Sequence, residues 1–238
     1  MKIADVYHTF FNAGEVTEIR AYGLSKTNKA WEGWAGGTGV VYGYFDNAEA
    51  FGRAGEALEQ AKAPGIYFTL NPVKPDLLAR AENRLKAASA KSSSTSDADI
   101  VCIRWIPVDL DPVRATGISS TAAELKKAYR IGENIIGWMS NDLSGLPGVV
   151  ACSGNGMHIL YRLPDLPNTD DSVNVVKGAL AVLDSRFHHK DVEIDQKVFN
   201  PSRIWKLYGT TARKGDSTKT RPHRKSYIML VNPIKRDV

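Results

Sequence analysis

Asp99–Pro112 reads DIVCIRWIPVDLDP. Ile100, Val101, Ile103, Trp105, Ile106 and Val108 are β-branched or aromatic, and Pro112 stops the run, so the stretch is predicted to be a buried strand. Side chains alternate along a strand, which puts Asp109 and Asp111 on one face and Leu110 on the other. Two carboxylates so close repel each other, and burying them unpaired is costly or shifts their pKa values. Divalent cations remove both problems. Mg²⁺ and Mn²⁺ favour carboxylate oxygens, and two carboxylates on one face can bridge a pair of ions. The competing reading is an exposed turn that happens to carry two aspartates, and the rest of the chain has to decide between them.

The 238 residues can bury a substantial core and suit one large domain or two fused lobes. Hydrophobic residues make up 43% and charged residues 24%, the balance of a soluble globular chain. No apolar run approaches the ~20 residues that span a bilayer. The opening MKIADVYHTFFNAGEV has no apolar h-region and no cleavage site, so a cytoplasmic location with no membrane partner is expected. Cys102 and Cys152 both fall in predicted strands and read as buried thiols. Nothing in their spacing suggests structural zinc. Net charge is +5, and it is unevenly spread: Arg203, Lys206, Arg213, Lys214, Lys219, Arg221 and Arg224 face one acid, Asp216. Such clustering suits a phosphate-rich partner, whereas a charge run taken alone is more often a solvated tail.

Strands are predicted at Glu15–Tyr22, Val40–Phe45 and Ile66–Leu70, and Trp31–Gly39 reads as a loop. Asp46 or Asn47 caps a helix running to about Lys62, with Phe51, Ala54, Leu58 and Ala61 on one face. Asp76–Lys86 reads as another helix. Residues 87–98, AASAKSSSTSDA, read as a flexible loop or linker that either divides lobes 1–98 and 99–238 or forms a mobile lid. After the central strand come a helix capped at Ser119 or Ser120 with Glu124 behind it, strands at Val149–Ser153 and Met157–Leu163, and a helix opened by Thr169 or Asp170. Arg203–Tyr208 and Ser226–Val231 read as closing strands. The order from residue 100 is β-α-β-β-α-β, the split βαβ pattern of ferredoxin-like and RNA-recognition-motif folds.

Three features can join Asp109 and Asp111. The turn Ser153-Gly154-Asn155-Gly156-Met157-His158 has two glycines that let backbone approach a ligand, with amides that can hold an anion, a hydroxyl at Ser153 and a donor at His158. A hairpin turn followed by a core histidine explains the same residues. Asp195 can deliver a third carboxylate from a later strand or loop. Arg203 and Lys214 can hold a triphosphate, and Lys206, Arg213, Arg221 and Arg224 can meet a nucleic-acid backbone. His188-His189 reads as helix-end solvation, because adjacent helical positions diverge.

In order, these features are Asp-x-Asp, Ser-Gly-x-Gly-x-His, then Asp followed by Asn-Pro-Ser-Arg and Gly-Thr-x-x-x-Lys. That order resembles the archaeo-eukaryotic primase superfamily, in particular the primase-polymerases of bacteria, phages and plasmids. The resemblance runs from Tyr67-Phe68-Thr69-Leu70-Asn71-Pro72 to Gly209-Thr210. It implies an α+β fold in which an N-terminal α/β unit packs on a C-terminal RNA-recognition-motif-like lobe, with the catalytic cleft between them. It implies that Asp109, Asp111 and Asp195 are catalytic carboxylates holding two Mg²⁺ or Mn²⁺ ions. Ser153, Gly154, Gly156, His158, Arg203 and Lys214 are implied to bind an incoming dNTP or NTP. The implied partners are a single-stranded DNA template and a primer, with a helicase or a defence-system protein, fused or separate, as a further partner in a mobile-element setting. Lys206-Leu207-Tyr208 departs from the family's frequent Arg-Leu-Pro, and there is no cysteine cluster for an attached zinc element.

Two other functions fit parts of the pattern. A rolling-circle replication nuclease needs a His-hydrophobe-His metal motif, and this chain has only His188-His189. An RNA-recognition-motif-like binder without catalysis stacks bases on central-strand aromatics, but two aspartates there repel phosphate and no Gly-Phe-x-Phe stretch is present.

Overall fold

The computed structural model describes residues 1–24, 39–143 and 145–232. The elements are α1 (Ile3–Phe10), β1 (Thr17–Tyr22), β2 (Val41–Phe45), α2 (Ala48–Gln60), β3 (Gly65–Thr69), β4 (Lys86–Ala87) and β5 (Cys102–Pro112). They continue with α3 (Ala122–Asp142), β6 (Val149–Cys152), β7 (Met157–Pro167), α4 (Asp170–Phe187) and β8 (Val192–Ile194). The last are β9 (Ile204–Lys206), β10 (Thr211–Ala212), β11 (Arg224–Lys225) and β12 (Tyr227–Val231). The architecture is α+β with antiparallel pairing. No helix among the described residues is long and apolar enough to cross a membrane.

Two compact units form. The first holds Met1–Cys102 and Pro201–Arg213; the second holds Ile103–Asn200 and the chain from Lys214 onward. The expected limits were 1–98 and 99–238, whereas these units divide after Cys102 and set Pro201–Arg213 with the first. Ile204–Lys206 was expected to close the second lobe, but it leaves that lobe and pairs antiparallel with β3, with Phe68 opposite Trp205.

The first unit is built on a sheet of order β4-β2-β1-β3-β9. Ile19 and Phe68 are opposite one another and fully buried, and the Phe10 and Phe51 rings from α1 and α2 pack edge-on against Phe68. Asn47 caps α2 by accepting from the Ala50 amide, as its side chain allows. The sequence reading did not include α1, although Ile3, Val6, Tyr7 and Phe10 bury a helical stripe. The helix expected at Asp76–Lys86 is a short 3-10 turn at Pro75–Arg80. Asn83 there takes a left-handed backbone (φ 48°), which ends any helix. The Ser-rich stretch is tied down. Thr95 is buried, and its hydroxyl donates to Glu18 Oε2 at 2.5 Å.

The second unit follows the order β5-α3-β6-β7-α4-β8, the expected β-α-β-β-α-β, in a sheet of order β12-β6-β7-β5-β8. The strand in the sixth place is β8, which the sequence reading does not assign; its Val192 and Ile194 are buried and Glu193 is exposed. Thr121, not Ser119 or Ser120, caps α3. Its side chain accepts from the Glu124 amide while Glu124 bonds back to the Thr121 amide. Leu110 is fully buried and points toward Gly132 of α3. The opposite face of β5 is therefore left to Asp109 and Asp111.

Candidate active site

The β5–β8 register sets the carboxylates. Leu110 faces Ile194 and Asp111 faces Glu193, and the Asp195 amide donates to the Asp109 carbonyl at 3.0 Å. Directly opposed residues share a sheet face, so Asp109, Asp111, Glu193 and Asp195 all lie on the face turned away from Leu110. Glu193 was not singled out from the sequence; the signal was its alternation with Val192 and Ile194. Asp195 Oδ1 accepts the Lys197 amide at 2.8 Å. Among the described residues, no three His, Cys, Asp or Glu side chains come together around one ion position.

Donors surround the Asp109–Asp111 pair. His158 on β7 is buried, and its Nε2 lies 3.4 Å from Asp109 Oδ1. Arg114 Nη1 donates to Asp111 Oδ1 at 3.0 Å and to the Pro112 carbonyl, while its Nε donates to the Ile118 carbonyl. Lys214 Nζ, half exposed, lies 3.9 Å from Asp111 Oδ2. Arg114 is a site residue that the sequence reading missed; it follows Asp111 by three positions and bonds it directly. Burial, and then the charge of Asp109, push the Asp111 carboxyl above its ordinary range, and Arg114 and Lys214 oppose that shift. A carboxylate pair in this state fits a divalent cation. Mg²⁺ is commonly held by one or two carboxylates together with waters and substrate phosphates rather than by an all-protein cage.

The polar groups of the glycine turn bond to one another. The Gly156 amide donates to Ser153 Oγ at 2.9 Å, the Asn155 amide also approaches Ser153 Oγ, and the Gly154 amide donates to Cys152 Sγ. These amides and the Ser153 hydroxyl thus serve the turn itself. Gly154 sits at φ 98°, which favours glycine. Gly156 is required by packing, since a Cβ there would lie 2.2 Å from the Leu110 carbonyl oxygen and 3.3 Å from Asp111 Oδ1. The turn is the backstop of the carboxylate strand. Asn155 extends it by accepting the Ser120 amide at the approach to α3.

The basic residues divide. Arg203 belongs to the first unit, where its carbonyl accepts the Leu70 amide. The four expected nucleic-acid contacts are occupied within the fold. Lys206 is buried, with Nζ donating to the Thr211 carbonyl and lying over the Tyr67 ring. Arg213 makes a two-pronged pair with Glu59 at 2.7 and 3.1 Å. Arg221 does the same with Glu124 at 2.8 and 2.9 Å, and Arg224 donates to the Ser120 carbonyl. A guanidinium committed to a carboxylate offers little to a phosphate, because its fork is already filled.

No family model and no curated protein matches the chain. Among solved structures it is similar to the archaeo-eukaryotic primase domain of the cyanophage S-2L primase-polymerase. The TM-score is 0.53 at 14% identity, over 99% of this chain and 92% of that one. It is also similar to the polymerase domain of Mycobacterium tuberculosis ligase D in complex with DNA, with a TM-score of 0.49 at 12% identity over 94% and 78% of the two chains. The catalytic domain of primase RepB′ in complex with initiator DNA gives a TM-score of 0.47 at 13% identity over 97% and 86%. The chain thus shares its fold with that cyanophage domain.

Proposed function

We propose that the chain is the catalytic domain of a template-dependent primase-polymerase, with its second unit acting as the RNA-recognition-motif-like catalytic lobe. It would transfer nucleotides from dNTPs or NTPs to a 3′-hydroxyl on single-stranded DNA. The observation that carries this reading is the Asp109–Asp111 pair on one face of β5, with His158, Arg114 and Lys214 around it. Asp109 and Asp111 would hold the divalent ions, with Asp195 assigned as the third carboxylate on the family resemblance. When bound, Mg²⁺ or Mn²⁺ supplies activation of the attacking hydroxyl and neutralisation of the triphosphate. His158 and Lys214 would donate to phosphate oxygens of the nucleotide, and Arg114 holds Asp111 in orientation. Arg203 is assigned to the triphosphate on the family resemblance alone. The chemistry then rests on positioning and charge neutralisation.

The test is nucleotide incorporation on a single-stranded template with Mg²⁺ or Mn²⁺, with and without a primer, beside Asp109→Ala/Asp111→Ala. Metal-dependent product that vanishes in the double variant supports the proposal. DNA binding without product under any metal condition would move the assignment to a non-catalytic binding module.

A further inference from the structure

The polar face of the first unit's sheet is left without a role by the catalytic reading. Glu18, Arg20 and Tyr22 alternate onto it from β1. Across the strands, Tyr42 and Tyr67 both stand opposite Arg20. A cation flanked by two tyrosines on neighbouring strands therefore crosses the sheet, with Tyr22 one step along and 6.0 Å from the Tyr67 ring. Beside this row is a cavity of about 300 Å³, lined among others by Arg20, Tyr22, Tyr42, Ser92, Ser93 and Ser94. Its outer wall is the Ser-rich stretch, fixed in place by the Thr95–Glu18 bond.

The chemistry of the lining restricts the ligand. Glu18 is 1% exposed and takes Nε and Nη2 of Arg20, so the pair's charges cancel and the cavity is not built for a free anion. Tyrosine rings and aliphatic side chains offer a flat apolar surface, and serine hydroxyls offer donors and acceptors. A neutral, planar, hydrogen-bonding group that fits within that volume is a nucleobase. Aromatic side chains hold unpaired bases by stacking, whatever the sequence.

We propose that this cavity receives one unpaired base of a single-stranded nucleic acid, an inference that rests on the polymerase reading for the identity of the strand. The probe is a single-stranded DNA 12-mer carrying 2-aminopurine, titrated with protein in the absence of metal and nucleotide. Stacking in the cavity quenches the fluorophore. Tyr22→Ala removes the more exposed ring, and Ala90→Trp, on the exposed part of the wall, fills the space; each is expected to weaken binding about tenfold. Asp109→Asn/Asp111→Asn is expected to keep the quench. Unchanged quenching and affinity in both cavity variants would overturn the inference, as would displacement of the 12-mer by an equal concentration of free adenosine. Nucleotide incorporation with a quench that ignores Tyr22 and Ala90 would leave the polymerase reading standing alone. Tyr22-dependent quenching in a chain that incorporates nothing would do the reverse.

Discussion

Gly156→Ala probes the link between the turn and the carboxylate strand. The added methyl would lie 2.2 Å from the Leu110 carbonyl oxygen and 3.2 Å from its carbon. Gly156 is not in the left-handed region, so the penalty is purely steric, and its neighbour is backbone that cannot swing aside. Turn or strand must retreat by roughly 1 Å to restore van der Waals contact. Overpacking of this kind costs about 1–3 kcal/mol. Because the strand that moves carries Asp109 and Asp111, a displacement of ~1 Å is also expected to lower turnover about 100-fold. Urea melts give the first quantity and incorporation rates at saturating nucleotide the second. Gly178→Ala in α4 is the control: nothing lies within 4 Å of its added carbon, and a helical Gly→Ala gains up to about 1 kcal/mol. A Gly156→Ala protein as stable and as active as the wild type would refute the assigned packing.

Three further outcomes follow from buried or paired cations. Burial pulls the Lys206 amine down to about 7, with Glu59 opposing and Arg213 assisting. Between pH 7 and its ordinary 10.5 the unfolded chain then holds a proton that the folded chain lacks, so stability should rise with pH across that window; Lys206→Met should flatten the rise in pH-dependent melts. Burial alone would raise the Glu59 carboxyl, but the bonds from Arg213 and Thr211 hold it below the ordinary range. Arg213→Ala should therefore cost about 1–3 kcal/mol of stability while leaving the salt dependence of DNA binding unchanged, since no phosphate contact is lost. Arg221→Ala should likewise lower the melting temperature without changing that salt slope, because its partners are Glu124 and the Ser119 carbonyl.

The strand at the centre of the second unit was legible because alternation, β-branching and a terminal proline agree over eleven residues. The face shared by Asp109 and Asp111 followed from the same alternation. β8 was not legible: three residues with one exposed glutamate give too short a pattern, and it is the pairing with β5 that makes it a strand. The return of Ile204–Lys206 to the first unit was equally hidden, since a strand's period says which face is apolar but not which sheet accepts it. The partners of the basic residues were hidden for a related reason. Sequence shows the cations, but Glu59 and Glu124, which occupy Arg213 and Arg221, lie 154 and 97 residues away.

Equilibrium Mn²⁺ binding, followed by the loss of the free-ion paramagnetic resonance signal, tests the central claim most directly because it needs no turnover. The account predicts that the wild-type chain binds Mn²⁺ more tightly once dNTP is present, and that Asp109→Asn/Asp111→Asn removes that binding while leaving the fold intact. Equal Mn²⁺ binding by both proteins, with or without dNTP, would contradict it.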